Sequence, residues 1–303
     1  MTRRNAIQTT ALTAGATLLT GMGTTQISMK EKLTAPSKVR HSASRWCYGS
    51  IPLEEFAIKA KKLGVTSVEL TGPDEWAILK KHGLTCAMGN GQFPEGTGLT
   101  SFWAEEKHHA ALVTFYESLV PKAKAAGIPA LICFSGNRNG RSDYEGMRIC
   151  AKGIKRVISL FEENDIILSM ELFNSKIDHP DYFADSTEWG VALCDMVGSE
   201  HFKLLYDIYH MQIMEGDIIR NIRKYHTYFN HYHTGGVPGR REINDSQELY
   251  YPAIIKAIME TGYTGFIGQE FIPTPEDSAG KLASLEEAVK ICSVWENGEW
   301  LLF

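Results

Sequence analysis

"KKLGVTSVEL", residues 61–70, holds a whole structural unit in ten letters. Two lysines end an amphipathic run, Gly64 follows, and a β-branched stretch leads to Glu69. Cations suit the negative end of a helix dipole, and glycine accepts the left-handed conformation that closes a helix. The unit returns as "KKHGLTCAM" (80–88) and "KAAGIPALICF" (124–134). A helix that hands over directly to a strand is half of a βαβ unit, and its repetition implies a parallel sheet.

Outward from these units the same alternation covers the chain. Candidate strands lie at 44–50, 67–72, 85–91, 130–137, 167–175, 203–210, 231–236 and 266–271. Helical spacing fills 53–64, where Phe56, Ala60 and Leu63 share a face, and 105–127, 146–165, 248–262 and 281–295. Eight units in about 260 residues predict a (β/α)8 TIM barrel, one α/β domain over residues 39–303. An open doubly wound sheet would carry a glycine-rich first turn, and "YGSIPLEE" (48–55) is not one.

The 303 residues carry a net charge of −5 and show no basic run, so no nucleic-acid partner is expected. Cysteines 47, 86, 133, 150, 194 and 292 form no CxxC pair and read as small buried side chains. Residues 1–38 read apart from the rest. Arg3 and Arg4 precede a weakly apolar, acid-free stretch, the pattern of a twin-arginine export signal. It predicts a periplasmic or exported protein; the alternative is a disordered threonine-rich tail on a cytoplasmic one. No segment is long and apolar enough for a stable membrane span.

Chemistry in such a barrel sits at the C-terminal ends of the strands. Glu69 ends the second strand, Glu171 and then Asn174 the fifth, Asp207 and then His210 the sixth. His231 and His233 lie on the seventh and Glu270 ends the eighth. Glu171, Asp207, His233 and Glu270 would converge on one small volume. Three carboxylates there need a compensating cation. Three oxygen donors and one imidazole suit Mn²⁺ or Mg²⁺, with Co²⁺, Ni²⁺ or Zn²⁺ as alternatives. Singly, each group has a plainer use: a helix cap, a surface ion pair, or, for His231, a structural bond, although alternation puts 231 and 233 on one side and does not choose between them. His108 and His109 read as solvated, and Trp46 and Trp103 as pocket wall or plain core.

The stretch from Tyr206 to Glu270 carries a more specific pattern. It reads D-x-x-H-x-Q-x-M-x-G-D from Asp207, H-x-H-x(4)-P-G-R from His231, and G-Y-x-G-F-I-G-x-E from Gly262. In these motifs the chain resembles the sugar isomerase/epimerase-like barrels, and among them the hydroxypyruvate-isomerase group. The resemblance implies a metal on Glu171, Asp207, His233 and Glu270. Hydroxypyruvate isomerases usually carry Gln where this chain has His233, whereas ketose 3-epimerases carry His. It also implies substrate contacts from His210 and Arg240, to which the strand-end positions of Glu69 and Asn174 are added, and a dimeric or tetrameric assembly.

The implied reaction is isomerisation or epimerisation of a small keto sugar or hydroxypyruvate through a metal-bound enediolate, with Glu171 and Glu270 as the acid/base pair. A dehydratase would use the same parts, and a non-catalytic exported sugar-binding barrel is the non-enzymatic alternative. "VPGRREIND" (237–245) and "FNSKIDHPDYF" (173–183) read as loops over the site, the second offering Lys176 and His179.

Overall fold

The computed structural model describes residues 38–296 and 299–301. The expected leader, residues 1–38, therefore lies outside the described residues except for Lys38. Seven parallel strands form one curled sheet: β1 Arg40–Ser44, β2 Val65–Glu69, β3 Ala130–Cys133, β4 Ile167–Glu171, β5 Phe202–Asp207, β6 Phe229–Thr234 and β7 Phe266–Gln269. Their order is β2-β1-β7-β6-β5-β4-β3. Residues 85–90 fill the eighth position without becoming a regular strand. Thr85 and Gly89 bridge in parallel to Ser67 and Thr71, and Gly89 bridges again to Leu131. The Gly89 N–H donates to the Ala130 carbonyl at 2.8 Å, and Leu70 N–H to Met88 O at 2.7 Å. The segment closes the ring between β2 and β3, so the chain is the TIM barrel expected.

Helices α1 Leu53–Lys62, α2 Pro73–Lys81, α3 His109–Ala126, α4 Asp143–Ile154, α5 Ile158–Asn164, α6 Thr187–Val197, α7 Ile208–Met214, α8 Ile218–Tyr225, α9 Tyr251–Glu260 and α10 Ser278–Cys292 connect and surround the strands. The repeated helix–glycine–strand unit has the conformation its letters require. Gly64, Gly83 and Gly127 all sit at positive φ, where a side chain would be strained.

Three expectations need correction. The first strand is Arg40–Ser44, not 44–50; Arg45–Tyr48 is a 3-10 turn that leaves the strand's C-terminal end. The span 146–165 is two helices, because the chain breaks its α-helical pattern at residues 155–157. His109 is buried rather than solvated, its Nε2 2.8 Å from the Trp103 carbonyl oxygen. Trp103 is core, and all six cysteines are free and buried. No helix among the described residues is long and apolar enough to cross a membrane.

β1 also carries a titratable core group. His41 is buried, with Nε2 3.0 Å from Ser293 Oγ. Burial, helped by Lys38, lowers its pKa to about 4. Because the unfolded chain regains a value near 6.5, it binds more protons than the native state between pH 6.5 and 4. The native state therefore loses stability as pH falls through that window, by about 2 kcal/mol between pH 7 and 5. Urea midpoints of wild type and His41→Gln at pH 7 and pH 5 check this. The wild type should lose stability more steeply than the variant, and parallel behaviour would refute the assignment.

Candidate active site

The register of the sheet builds the site. Asp207 on β5 lies opposite His233 on β6, and His233 lies opposite Gly268 on β7. Successive strand side chains alternate faces, so these positions share the barrel interior. Gly268 is required there. A Cβ on it would fall 2.2 Å from Glu69 Oε1 and 2.7 Å from the His233 ring.

Glu171, Asp207, His233 and Glu270 are all buried, and each offers one ligating atom within 4.8 Å of the others. His233 Nδ1 stands 3.1 Å from Glu171 Oε1 and 2.6 Å from Glu270 Oε2. Its Nε2 stands 2.8 Å from Glu69 Oε1. Burial alone would lower the His233 pKa, but Glu270, Glu171 and Glu69 outweigh it and hold it well above the usual imidazole value. The four residues predicted to converge do so. Three carboxylates and one imidazole so arranged fit a divalent cation.

Neighbours push the acids apart. Burial and the Glu270 charge raise Glu171 to about 7. Burial raises Asp207 to about 6 despite Arg240. Burial would raise Glu270 as well, but His233 and Arg240 hold it at about 2. Asp207 does two jobs. Its Oδ1 accepts from the backbone N–H groups of Tyr209 and His210, capping α7, while Oδ2 faces the cluster.

Arg240 enters from the loop after β6. One nitrogen, Nη2, donates to Asp207 Oδ2 at 3.0 Å and Glu270 Oε2 at 2.6 Å, and its guanidinium lies 5.4 Å from the Trp46 and Tyr209 ring centres. Burial works against its charge, but Glu270 and Asp207 raise its pKa further. The Arg240 carbonyl accepts from Ile272 N–H at 2.7 Å, which ties the expected 237–245 loop to the chain after β7. Trp46 is a pocket wall, and its Nε1 donates to Glu270 Oε1 at 2.7 Å.

Two expected substrate contacts, Glu69 and Asn174, sit deeper than anticipated. Glu69 is fully buried behind His233, bonded to both strand-6 histidines and to Ser44 Oγ. It therefore faces imidazoles and not the cavity. Asn174 is also fully buried and folds into its own loop. Its Oδ1 accepts from Ile177 and Asp178 N–H, and its backbone N–H donates to His210 Nδ1. That bond leaves His210 Nδ1 without a proton and puts the proton on Nε2, 3.5 Å from Asp207 Oδ2. His210 is fully buried, and burial lowers its pKa well below the usual value. His231 is structural, 2.9 Å from Glu69 Oε2. Lys176 is peripheral, donating to the Ile213 and Met214 carbonyls. His179 does reach the cavity, stacked on Phe173 with ring centres 4.2 Å apart.

The cavity above the cluster has a volume of about 390 Å³. Glu171, Glu270, Arg240 and His179 line one side. Leu70, Ile132 and Phe134 line another, and the sequence pattern alone had not marked these apolar residues.

Comparison with known proteins places this geometry in context. A model of the xylose isomerase-like TIM barrel matches residues 58–288. The hydroxypyruvate isomerase of Escherichia coli is 28% identical over 159 residues, covering 52% of this chain and 61% of that protein. The 2-oxo-tetronate isomerase of Haemophilus influenzae is 24% identical over 243 residues, 77% of this chain and 93% of that one. Among solved structures, D-psicose 3-epimerase from Clostridium cellulolyticum superposes with a TM-score of 0.70 at 16% identity, covering 84% and 98% of the two chains. A zinc-bound IOLI protein superposes with a TM-score of 0.65 at 13% identity, covering 84% and 95%. By fold and by sequence, the chain belongs to the xylose isomerase-like TIM barrel family.

Proposed function

We propose that this protein is a divalent-metal-dependent isomerase or epimerase of a small keto sugar or hydroxy-keto acid. One observation carries the proposal: two buried glutamates from β4 and from the end of β7 both line the cavity and both face one imidazole edge. The names of the E. coli and H. influenzae relatives support the same class of reaction. A metal, Mn²⁺ or Mg²⁺ before the others, would be held by Glu171, Asp207, His233 and Glu270, and when bound it supplies Lewis-acid stabilisation of charge on a carbonyl and its neighbouring hydroxyl.

The chain's own residues do the rest. A C–H beside a carbonyl is weakly acidic. Glu171 and Glu270 form the acid/base pair: the ionised member takes that proton, leaving an enediolate, and the protonated member delivers one to the adjacent carbon or the opposite face. His210, with its proton on Nε2, donates towards developing negative charge beside Asp207. Arg240 holds two of the carboxylates through Nη2 alone, and its buried Nε has no protein partner among the described residues. That free edge suits a substrate oxygen or carboxylate. The aromatic face of Trp46 and the 237–243 segment keep water from the reacting carbons.

Glu69 supports this arrangement from behind. A carboxylate on the remote nitrogen of a ligating histidine fixes its ring and raises its basicity.

Two experiments test this function. Solvent deuterium entering a ketose or hydroxypyruvate, followed by NMR in the presence of Mn²⁺, should fall in Glu171→Gln by roughly 10²–10⁴-fold. Absence of exchange by the wild type across a panel of keto sugars and keto acids would sink the proposal. For Glu69→Gln, Mn²⁺ affinity by calorimetry should weaken about 10–100-fold with the circular dichroism spectrum preserved. An unchanged affinity would mean Glu69 has no part in orienting His233.

A further inference from the structure

The cavity mouth is two-faced, and the division follows strand order. Its acidic half follows consecutive strands, β4 to β7: Glu171 and Glu270 line the cavity and cluster with Asp207 and His233, and Phe173, just after β4, is an apolar member of this half. The opposite half-ring, from β1 through the 85–90 segment to β3, supplies Trp46, Leu70, Ile132 and Phe134 to the cavity. Asn90 is the polar member of that half, and its Oδ1 already accepts from Gly91 N–H.

Two further observations mark the apolar face as built and not incidental. Leu70 sits at φ +57°, a conformation that a bulky side chain adopts only when the surroundings force it. It is pinned there by the bond from its N–H to Met88 O, and its side chain lines the cavity. Phe134 is held rigid from behind by Phe93 and Phe102, each with ring centres 5.7 Å away. Backbone strain concentrates where function holds it.

We propose that this half-ring is a specificity subsite for an apolar substituent at the far end of the keto substrate, a deoxy methyl or an alkyl or aryl group. The inference rests on the isomerase function proposed above and names its substrate class. A cavity of about 390 Å³ lies in the range that encloses ligands well beyond three carbons. A polyol tail on this wall would lose the hydrogen bonds it makes to water, with Asn90 the one polar side chain of that half-ring among the described residues to replace them. A phosphate would find no cation there. Among the described residues Arg240 is the sole arginine or lysine lining the cavity, and it is engaged with Asp207 and Glu270 on the other side.

The test offers the Mn²⁺-loaded protein a ketohexose, its 6-deoxy analogue, its 6-O-phenyl ether and its 6-phosphate. Calorimetry reads binding, and NMR reads proton exchange beside the carbonyl. Each buried methylene-sized group should tighten binding about three- to fourfold. The phenyl ether should therefore bind at least tenfold tighter than the parent, the 6-deoxy sugar several-fold tighter, and the phosphate weakest. Leu70→Asn places a residue that tolerates positive φ at the strained position. It should keep or raise the thermal midpoint while bringing the phenyl ether to within threefold of the parent. If the binding order holds but no probe exchanges a proton, the isomerase function fails and the subsite stands. If protons exchange but the polyol or phosphate binds as tightly as the phenyl ether, the subsite is wrong. Failure of every probe to bind also overturns it.

Discussion

His233 is gripped from both edges of its ring by acids: Glu69 at Nε2, and Glu171 and Glu270 at Nδ1. The rest of the site follows from that constraint. Four carboxylates buried in one barrel cannot all keep their charge without cations among them, because removing them from water and crowding them both oppose ionisation. His233 and Arg240 are the cations the chain supplies between Glu171, Asp207 and Glu270, while Glu69 lies between His233 and His231. Remove either, and the acids left behind must take up protons or draw in a metal.

The barrel makes such crowding geometrically cheap. Parallel register brings Asp207, His233 and residue 268 side by side, and a glycine at 268 leaves the volume that Glu69 and the imidazole occupy. The same strand end then serves a structural need. Asp207 caps α7 with one oxygen and faces Arg240 with the other, so its charge is held by backbone N–H groups and a guanidinium together. A carboxylate at the end of this apolar strand is thus a helix cap and a member of the cluster at once.

How far these features could be read in the letters depends on their physics. Helix–glycine–strand units were legible because cap, dipole and alternation all point the same way in about ten residues. Arg40–Ser44 was missed as a strand because its inward positions are serines, Ser42 bonding Ser67 and Ser44 bonding Glu69, and polar interior positions carry no hydrophobic alternation. The three clustered carboxylates were legible from strand ends alone, whereas alternation puts His231 and His233 on one face and could not choose between them. Glu69 and Asn174 were placed too far forward, because a strand end says which mouth a residue faces and not how deep it lies. The apolar wall had no chemical signature at all; only the ring order of β1 to β3 brings Leu70, Ile132 and Phe134 together.

That division of the ring has a consequence for how a family of one fold could serve many substrates. Proton transfer needs groups near the reacting carbons, and the proposed reaction draws them from β4 to β7. In the proposed subsite, recognition of the remainder of the molecule falls to β1 to β3 and the loops that follow them. The two halves meet at few residues, chiefly Trp46, which bonds Glu270 and walls the cavity, and Arg240, which bridges the acids beside it. Substitutions on the apolar half can therefore change what is bound without disturbing the charge balance around His233. Substitutions on the acidic half do disturb it, since each carboxylate there is balanced against a shared cation.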